Sequence, residues 1–346
     1  MVRLMVINRK NYEIEHSHFY SIGKFLRAGD LLVFNSSRTI PASLIGYGLL
    51  SGRIFVIEAR LAEHLSDDTW LALLLCHSAA AAVDGSSNGS DKCDDNDLLL
   101  TGLQNGMEIQ FGHSLVATIY DRDNNIDKLW KIRFSKSGTE LIELLYRLGQ
   151  PIRYEYVSRP WDLDYYQTVY AREPGSAEMP SAGRAFTWKL LLGLKRHGIK
   201  MAYISLHTGL SSYMDDAVDS QHLASEEEYS VNYATAQLIN KTHSQDGRVI
   251  LVGTTVVRTL ETIAADNNNN GNFNVNAGHG YTRLHITANH KLKIVDSLLT
   301  GFHEPEASYL NLLTAFLSAE RIHKSYDEAI RKRYLWHEFG DLNLIL

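Results

Sequence analysis

The stretch DLLVFNSSRTIPASLIG, residues 30–46, has the pattern of two strands joined by a loop. Its apolar run 31–34 has the residue types of a buried strand, a polar turn follows, and a second apolar run begins at Ile40. We therefore predict a strand, a loop and another strand. The chain beyond this stretch shows two different patterns, which indicate two structural units.

Short β-type runs fill the region from residue 53 to about residue 151. Runs such as RIFVIEARL, TWLALLLC and SLVATIYD are separated by clusters of glycine, asparagine and aspartate. This spacing is typical of a small antiparallel barrel or sandwich. We expect an inserted β-barrel domain over 53–151. The small, polar and acidic residues of 79–98 predict a mobile loop within it.

Helical and strand patterns alternate after Arg159-Pro160, and such alternation implies α/β layers with a largely parallel sheet. The predicted helices cover 187–197, 231–243, a run from about 255, 307–317 and 325–336. The predicted strands cover 201–207, 248–253, 281–286 and 291–299, and we expect the last two to form a pair. The predicted fold is α/β: a discontinuous α/β body, residues 1–52 plus 152–346, with an inserted small antiparallel β-barrel domain.

Charge and cysteine content limit the kinds of site. The 346-residue chain has a net charge of −6 and two cysteines without CxxC spacing, so we predict neither a disulfide scaffold nor a metal site. Charge interrupts each apolar run of the N-terminus, which predicts no signal peptide, no membrane contact and a cytoplasmic location. Nucleic acid would need a local basic patch. The candidates are 189–200 and 331–333, with solvated helix faces as the alternative, and the sequence identifies no protein partner.

His207, at the end of the run MAYISLH, is the best candidate for proton transfer. Open α/β sheets bind ligands at the carboxyl ends of parallel strands, and histidine titrates near neutral pH. The alternative is a hydrogen-bonded structural histidine.

Two further strand ends carry polar groups. Gly253, Thr254 and Thr255 follow the run RVILV and offer backbone amides and hydroxyls to a ligand, while Arg258 lies one helical turn further on. The alternative is a capped helix with a surface arginine. His303 follows the apolar run that ends in LLTG. If the sheet is parallel, all these strand ends converge on one face.

The irregular segment YQTVYAREPGSAEMPSAGRAFT, residues 166–187, precedes a helix for which Thr187 is the predicted N-cap. Pro180 and Gly183 interrupt regular backbone here. Small residues beside a helix N-terminus let backbone amides approach an anion or a ribose. An ordinary structured loop is the alternative.

Six motifs follow one another along the chain: residues 30–42, then YQTVYAREPGSAEMPSAG, SLHTG, VGTTVVRTLE, TGFHEPEASYL and FGD. Together they resemble the S-adenosylmethionine:tRNA ribosyltransferase-isomerase (QueA) family over nearly the whole chain. The resemblance implies a discontinuous α/β domain with an inserted β-barrel. It also implies queuosine biosynthesis, in which the ribosyl group of S-adenosylmethionine, a co-substrate, is transferred and isomerised onto 7-aminomethyl-7-deazaguanine in the anticodon region of tRNA. No metal is implied.

The resemblance assigns residues to two roles. The catalytic candidates are His207, His222, Glu227 and His303. The substrate-binding candidates are Asn35, Arg38, Tyr170, Arg172, Pro180, Gly183, Gly209, Gly253, Thr254, Thr255, Arg258 and Asp341.

Three departures replace a histidine or an arginine of the family motifs. Ala185 stands where P-T-A-G-L-H-F-T has its histidine, Ser225 replaces the second histidine of D-H-x-M-H-x-E, and Ser43 replaces the arginine of I-P-A-R. The alternatives are therefore a catalytically altered or inactive paralogue that binds RNA or a nucleoside, and an enzyme that modifies another acceptor. Whether these positions face the ligand separates the readings.

Overall fold

A computed structural model describes residues 1–50, 53–77, 102–124, 126–154, 156–157, 159–214, 219, 226–266, 273–303 and 309–346. The predicted loop 79–98 lies outside these residues. The strands are β1 Arg3–Ile7, β2 Ile14–His18, β3 Leu31–Asn35, β4 Ser37–Thr39, β5 Ser43–Leu50, β6 Arg53–Ser66, β7 Thr69–His77, β8 Glu108–Phe111, β9 Leu115–Arg122, β10 Leu129–Phe134, β11 Glu173–Ser176, β12 Lys200–Leu206, β13 Glu227–Val231, β14 Val249–Val252, β15 Ala264–Ala265, β16 Asn274–Val275, β17 Gly278–Thr282, β18 Ser297–Gly301 and β19 Leu342–Ile345.

The α-helices are α1 Gly138–Leu148, α2 Trp188–Arg196, α3 Tyr233–Ser244, α4 Thr254–Ile263, α5 Tyr309–Leu313 and α6 Ala319–Arg331. Short 3-10 helices cover Phe19–Phe25, Leu163–Tyr166 and Ser181–Gly183. Thr187 caps α2 as predicted, because its side chain accepts a hydrogen bond from the Leu190 amide at 3.2 Å. None of the helices in the described ranges is long and apolar enough to span a membrane.

Within the described residues, nine strands form one mixed sheet in the order β17-β13-β12-β3-β14-β18-β19-β1-β2. The centre β12-β3-β14-β18 is parallel, and antiparallel pairs lie on both sides of it. Strand β3 explains the continuous apolar run of the sequence. Leu31 and Val33 pack into one core while Leu32 and Phe34 pack into another, so both faces of the strand are covered.

A closed antiparallel barrel of six strands, β10-β7-β6-β5-β8-β9, accounts for the second pattern in the part of the chain that is described. The mixed α/β fold with a small barrel is therefore confirmed. The barrel includes β5, which precedes residue 53, where the sequence predicts the inserted unit to begin. Gly46 and Gly48 have low strand propensity, so β5 is not evident from the sequence. In the fold they leave room for two rings, because a Cβ on Gly46 would lie 2.7 Å from Phe111 and a Cβ on Gly48 would lie 2.5 Å from Phe55.

One predicted strand pairing is wrong. The runs 281–286 and 291–299 do not pair with each other in the described structure, since β17 pairs with β13 and β18 lies between β14 and β19. Neighbouring strands in sequence pair often, but here the buried β18 completes the sheet centre while the exposed β17 extends its edge. Helix α6 also begins and ends earlier than predicted, because Ser318 caps its N-terminus.

Candidate functional site

The carboxyl ends of four parallel strands meet at one edge of the sheet. Asn35 ends β3 beside Ile204 of β12, and Val252 of β14 lies beside both Phe34 and Leu299 of β18. The polar groups that follow β12, β14 and β18 in the sequence are therefore brought to the same edge, where α/β sheets bind ligands.

Two adjoining cavities open at this edge. Their volumes are about 120 Å³ and about 210 Å³. Five residues line both: Glu178, Thr208, Ser211, Thr254 and Thr255. The two cavities are therefore halves of one site that share a wall.

The shared wall is held by hydrogen bonds between the irregular segment after β11 and the turn after β12. The Ala177 amide donates to the Thr208 carbonyl at 2.8 Å, and the Thr208 hydroxyl donates to the Glu178 carbonyl at 2.6 Å. This pairing fixes the backbone of Glu178 against the strand end, so its side chain has a defined position in the site.

The Glu178 carboxyl is the strongest acid–base candidate of the shared wall. Its Oε1 accepts hydrogen bonds from the Ser211 amide at 2.7 Å and from the Tyr154 hydroxyl. Burial raises the pKa of Glu178 to about 7, although both hydrogen bonds favour the charged form. Burial, together with the neighbouring Glu178 carboxylate, raises the pKa of Tyr154. Sequence reasoning missed Glu178, and the only available signal was a carboxylate inside the motif 166–187.

The smaller cavity contains an ion pair. Glu227 and Arg258 contact each other there, and the Gly209 amide donates to Glu227 Oε1 at 3.4 Å. Thr254 and Thr255 begin α4 at the same cavity. Gly253, which precedes them, has φ +99°, a left-handed conformation that favours glycine.

The larger cavity is lined by histidine and aromatic side chains. Burial and nearby His337 lower the pKa of His303 to about 4, so its imidazole is neutral at physiological pH. The ring of Tyr156 stacks on His337 with centroids 3.9 Å apart, and the Tyr156 hydroxyl donates to Glu338 at 2.6 Å. Pro180 lines the same cavity. This half of the site combines flat rings with two carboxyl groups, those of Glu178 and Glu338.

Among the described residues that line the two cavities, His207 is absent. Its Nδ1 lies 2.7 Å from Ser37 Oγ, which lies 2.6 Å from Ser176 Oγ. Burial lowers the pKa of His207, while Glu228 and Glu173 oppose that change. The next residue, Thr208, is the one that reaches the cavities. The side chains therefore place His207 beside the site in a hydrogen-bonded chain of hydroxyls.

Several of the other sequence-predicted residues support the site from outside the cavities. Asn35 is buried and exchanges hydrogen bonds with the backbone of Leu206 at 2.8 and 3.0 Å. Tyr170 packs on Phe34 with centroids 4.7 Å apart, and a Cβ on Gly183 would overlap its hydroxyl. These residues hold strands and loop together.

Two arginines and one aspartate among the predicted substrate-binding residues also lie outside the cavities. The guanidinium of Arg38 lies over Tyr146, and that of Arg172 lies over Tyr203. Asp341 pairs with Arg3 at 2.8 Å and accepts two backbone amides. None of the three lines either cavity among the described residues, and His222 lies outside those residues.

Two of the three departures from the family motifs do not face the cavities in the described part of the chain. Ser43 donates to Glu58 at 2.7 Å inside the barrel sheet, and Ala185 packs against the apolar cluster around Phe186. Ser225 lies outside the described residues. Within the described ranges, no three His, Cys, Asp or Glu side chains come together as a metal-binding group.

Known proteins similar to this chain carry consistent descriptions. A family model described as queuosine biosynthesis protein matches residues 1–345. Two relatives named S-adenosylmethionine:tRNA ribosyltransferase-isomerase, from Moorella thermoacetica and a Thermoanaerobacter species, are 35% and 34% identical over 99% of this chain and 92% of their own length. A crystal structure of S-adenosylmethionine tRNA ribosyltransferase from Thermotoga maritima covers all of this chain and 92% of its own, with 27% identity and a TM-score of 0.50.

Proposed function

Because this chain belongs to the queuosine biosynthesis protein family, we propose that it is an S-adenosylmethionine:tRNA ribosyltransferase-isomerase. It transfers and isomerises the ribosyl group of S-adenosylmethionine onto 7-aminomethyl-7-deazaguanine in tRNA, and the products are epoxyqueuosine tRNA, methionine and adenine. The observation that carries this proposal is the match of the family model over residues 1–345, with relatives of that name over 99% of the chain.

This ribosyl transfer requires a base in a site that excludes water. The sulfonium of S-adenosylmethionine acidifies the adjacent ribose carbon, so a base can remove a proton there and form an ylide. Adenine is then expelled, and the exocyclic amine of the modified base captures the sugar. The adjoining cavities at the carboxyl edge of the sheet provide carboxyl groups and the stacked rings of Tyr156 and His337 for such a reaction.

We assign the methionine end of S-adenosylmethionine to the smaller cavity. Backbone amides at the start of α4, at Thr254 and Thr255, and the guanidinium of Arg258 suit a carboxylate. The pairing of Arg258 with Glu227 keeps the guanidinium at the cavity wall. The adenosine end then extends toward the larger cavity, whose stacked Tyr156 and His337 suit a flat base.

We assign the anticodon region of tRNA to the exposed surface of helix α2, and we propose that the reaction takes place in the cytoplasm. Helix α2 exposes Trp188 and Leu192 beside Lys189, Lys195 and Arg196. Aromatic and basic groups together suit unstacked RNA bases and phosphates. The exposed run 331–333 is a second basic candidate.

The alternatives of an inactive RNA-binding paralogue and of another acceptor predict different products. The positions of Ser43 and Ala185 outside the cavities favour the ribosyltransferase, since their substitution does not remove a lining group from the described site. The alternatives remain outcomes of the test.

The test incubates the purified protein with S-adenosylmethionine and tRNA that carries 7-aminomethyl-7-deazaguanine. Adenine is measured by chromatography, and the modified nucleoside is identified by mass spectrometry after digestion. We expect adenine and epoxyqueuosine in equal amounts, and neither with tRNA that carries guanine at that position. Binding of tRNA without either product would support the inactive paralogue, and adenine release with a different tRNA only would support another acceptor.

A further inference from the structure

Glu178 is the ionisable side chain common to both cavities among the described lining residues. Its backbone is fixed by Thr208, and two donors, the Tyr154 hydroxyl and the Ser211 amide, contact the same oxygen, Oε1. These contacts hold the carboxyl in one orientation. A group held in this way has the positional order that a catalytic base requires.

The groups that face Glu178 suit a base that is active near neutral pH. Glu338 adds negative charge from the larger cavity, while Tyr154 and Ser211 stabilise the carboxylate by hydrogen bonds. His303, in the same cavity, is neutral at that pH. In the smaller cavity, the charge of Arg258 is paired with Glu227. With its pKa raised to about 7, a large fraction of Glu178 is ionised at physiological pH and still basic enough to accept a proton.

We propose that Glu178 is the proton acceptor of this site and that it removes the ribose proton next to the sulfonium of S-adenosylmethionine. The inference rests on the proposed function and adds the residue that begins the reaction. It also gives this chain a titratable group in the same segment where Ala185 replaces the histidine of the family motif.

The proposed step balances without another reactant. The C–H bond at the ribose carbon attached to sulfur breaks, and an O–H bond forms on Glu178. The electron pair, first held on the carbon beside the positive sulfur, forms a double bond to the next ribose carbon as the bond from that carbon to the ring oxygen breaks. The ring oxygen then forms a carbonyl at the carbon that carries adenine, and the bond to adenine breaks. Proton removal is reversible and the proton on Glu178 exchanges with water, so deuterium from heavy water can return to the ribose. In the forward direction, protonated Glu178 gives its proton to the adenine nitrogen as the glycosidic bond breaks, and the carboxylate is regenerated.

The experiment compares wild type with Glu178→Gln, Tyr154→Phe and the control Glu15→Gln, an exposed carboxylate on the edge strand β2. Two readouts are taken on each protein: adenine release with modified tRNA, and uptake of deuterium from heavy water into the ribose of S-adenosylmethionine. We expect Glu178→Gln to lower both rates by ~10²–10⁴-fold, with S-adenosylmethionine affinity and the thermal midpoint nearly unchanged. Glu15→Gln should behave as wild type.

The pH profile gives a readout that a purely structural role would not change. Wild-type kcat should rise with pH through about 7, because the base must be ionised. Tyr154→Phe removes a hydrogen bond that favours the carboxylate, so the rise should move to higher pH. Loss of deuterium exchange in Glu178→Gln would support the role of Glu178 even if the wild type released no adenine, because missing adenine release would contradict only the proposed function. The role of Glu178 would be overturned if Glu178→Gln and wild type showed equal exchange and equal adenine release. It would also be overturned if the wild type showed neither exchange nor adenine release.

Discussion

Gly175 lies against the face of the His207 ring, and the contact makes the substitution Gly175→Ala informative. A Cβ at position 175 would lie 2.5 Å from His207 Nδ1 and 2.7 Å from both Cγ and Cε1. Such atoms are comfortable at roughly 3.5 Å, so the ring must move by about 1 Å. That movement would strain the 2.7 Å contact between His207 and Ser37.

The size of the effect follows from two terms. Overpacking of this kind costs about 1–3 kcal/mol, and the weakened hydrogen bond adds about 1 kcal/mol. Since Gly175 lacks a positive φ, the alanine backbone itself is not strained. We therefore expect a loss of about 2–4 kcal/mol. For a chain of 346 residues this is a fall in the thermal midpoint of about 3–6 °C.

Calorimetry on a double-mutant cycle checks the mechanism. His207→Ala removes the ring, so Gly175→Ala should cost far less in that background, with a coupling energy of at least ~1 kcal/mol. The matched control is Gly278→Ala, also a strand glycine, where a Cβ would meet nothing within 4 Å, and there we expect no loss. Additive losses in the cycle, or an unchanged midpoint in Gly175→Ala, would show that the contact with the His207 ring does not limit stability.

Three further predictions concern charge. Between pH 6.5 and about 4, His303 binds a proton in the unfolded chain but not in the folded one, so the free energy of unfolding should decrease by up to ~3 kcal/mol as the pH is lowered. In urea unfolding at a series of pH values, His303→Gln should remove this decrease. Asp30→Asn removes the buried carboxylate that pairs with Arg248, and we expect the free energy of unfolding in urea to fall by roughly 3 kcal/mol. The control Glu320→Gln, at an exposed ion pair, should change the free energy of unfolding little. Arg258→Lys keeps the charge but loses the planar fork, so KM for S-adenosylmethionine should rise about 10-fold in steady-state assays with kcat less affected; an unchanged KM would contradict the assignment of the methionine end.

The elements that could be predicted from the sequence are those with local signals. The run 31–34 is apolar throughout because β3 has a core on each face, and Thr187 caps α2 through its own side chain. The strand ends that carry Thr254 and His303 could be placed at one edge because parallel strands share their direction. Patterns over a few residues were sufficient for each of these.

The remaining features depend on contacts between distant segments. The sequence cannot show that His207 turns toward Ser37 while its neighbour Thr208 reaches the cavities. Glu178 has the residue type of a surface position, and only Tyr154 and Ser211, which come from other segments, make it part of the site. The neighbours of β18 are likewise set by the whole sheet, because β19 arrives from the far end of the chain.

The position of β19 between β18 and β1 has a consequence for synthesis on the ribosome. Strand β1 pairs along Leu4–Ile7 with Leu342–Ile345, so its partner is translated more than 300 residues later. At about 5–20 residues per second, β1 waits roughly 20–70 s with one side unpaired. All four of these β1 residues are buried in the complete fold, so during that time they form an apolar, unpaired strand edge that can associate with other chains. We therefore expect the nascent chain to expose this edge over that interval, whereas paired residues of the barrel strands lie at most 64 positions apart, as Thr69 and Arg133 do.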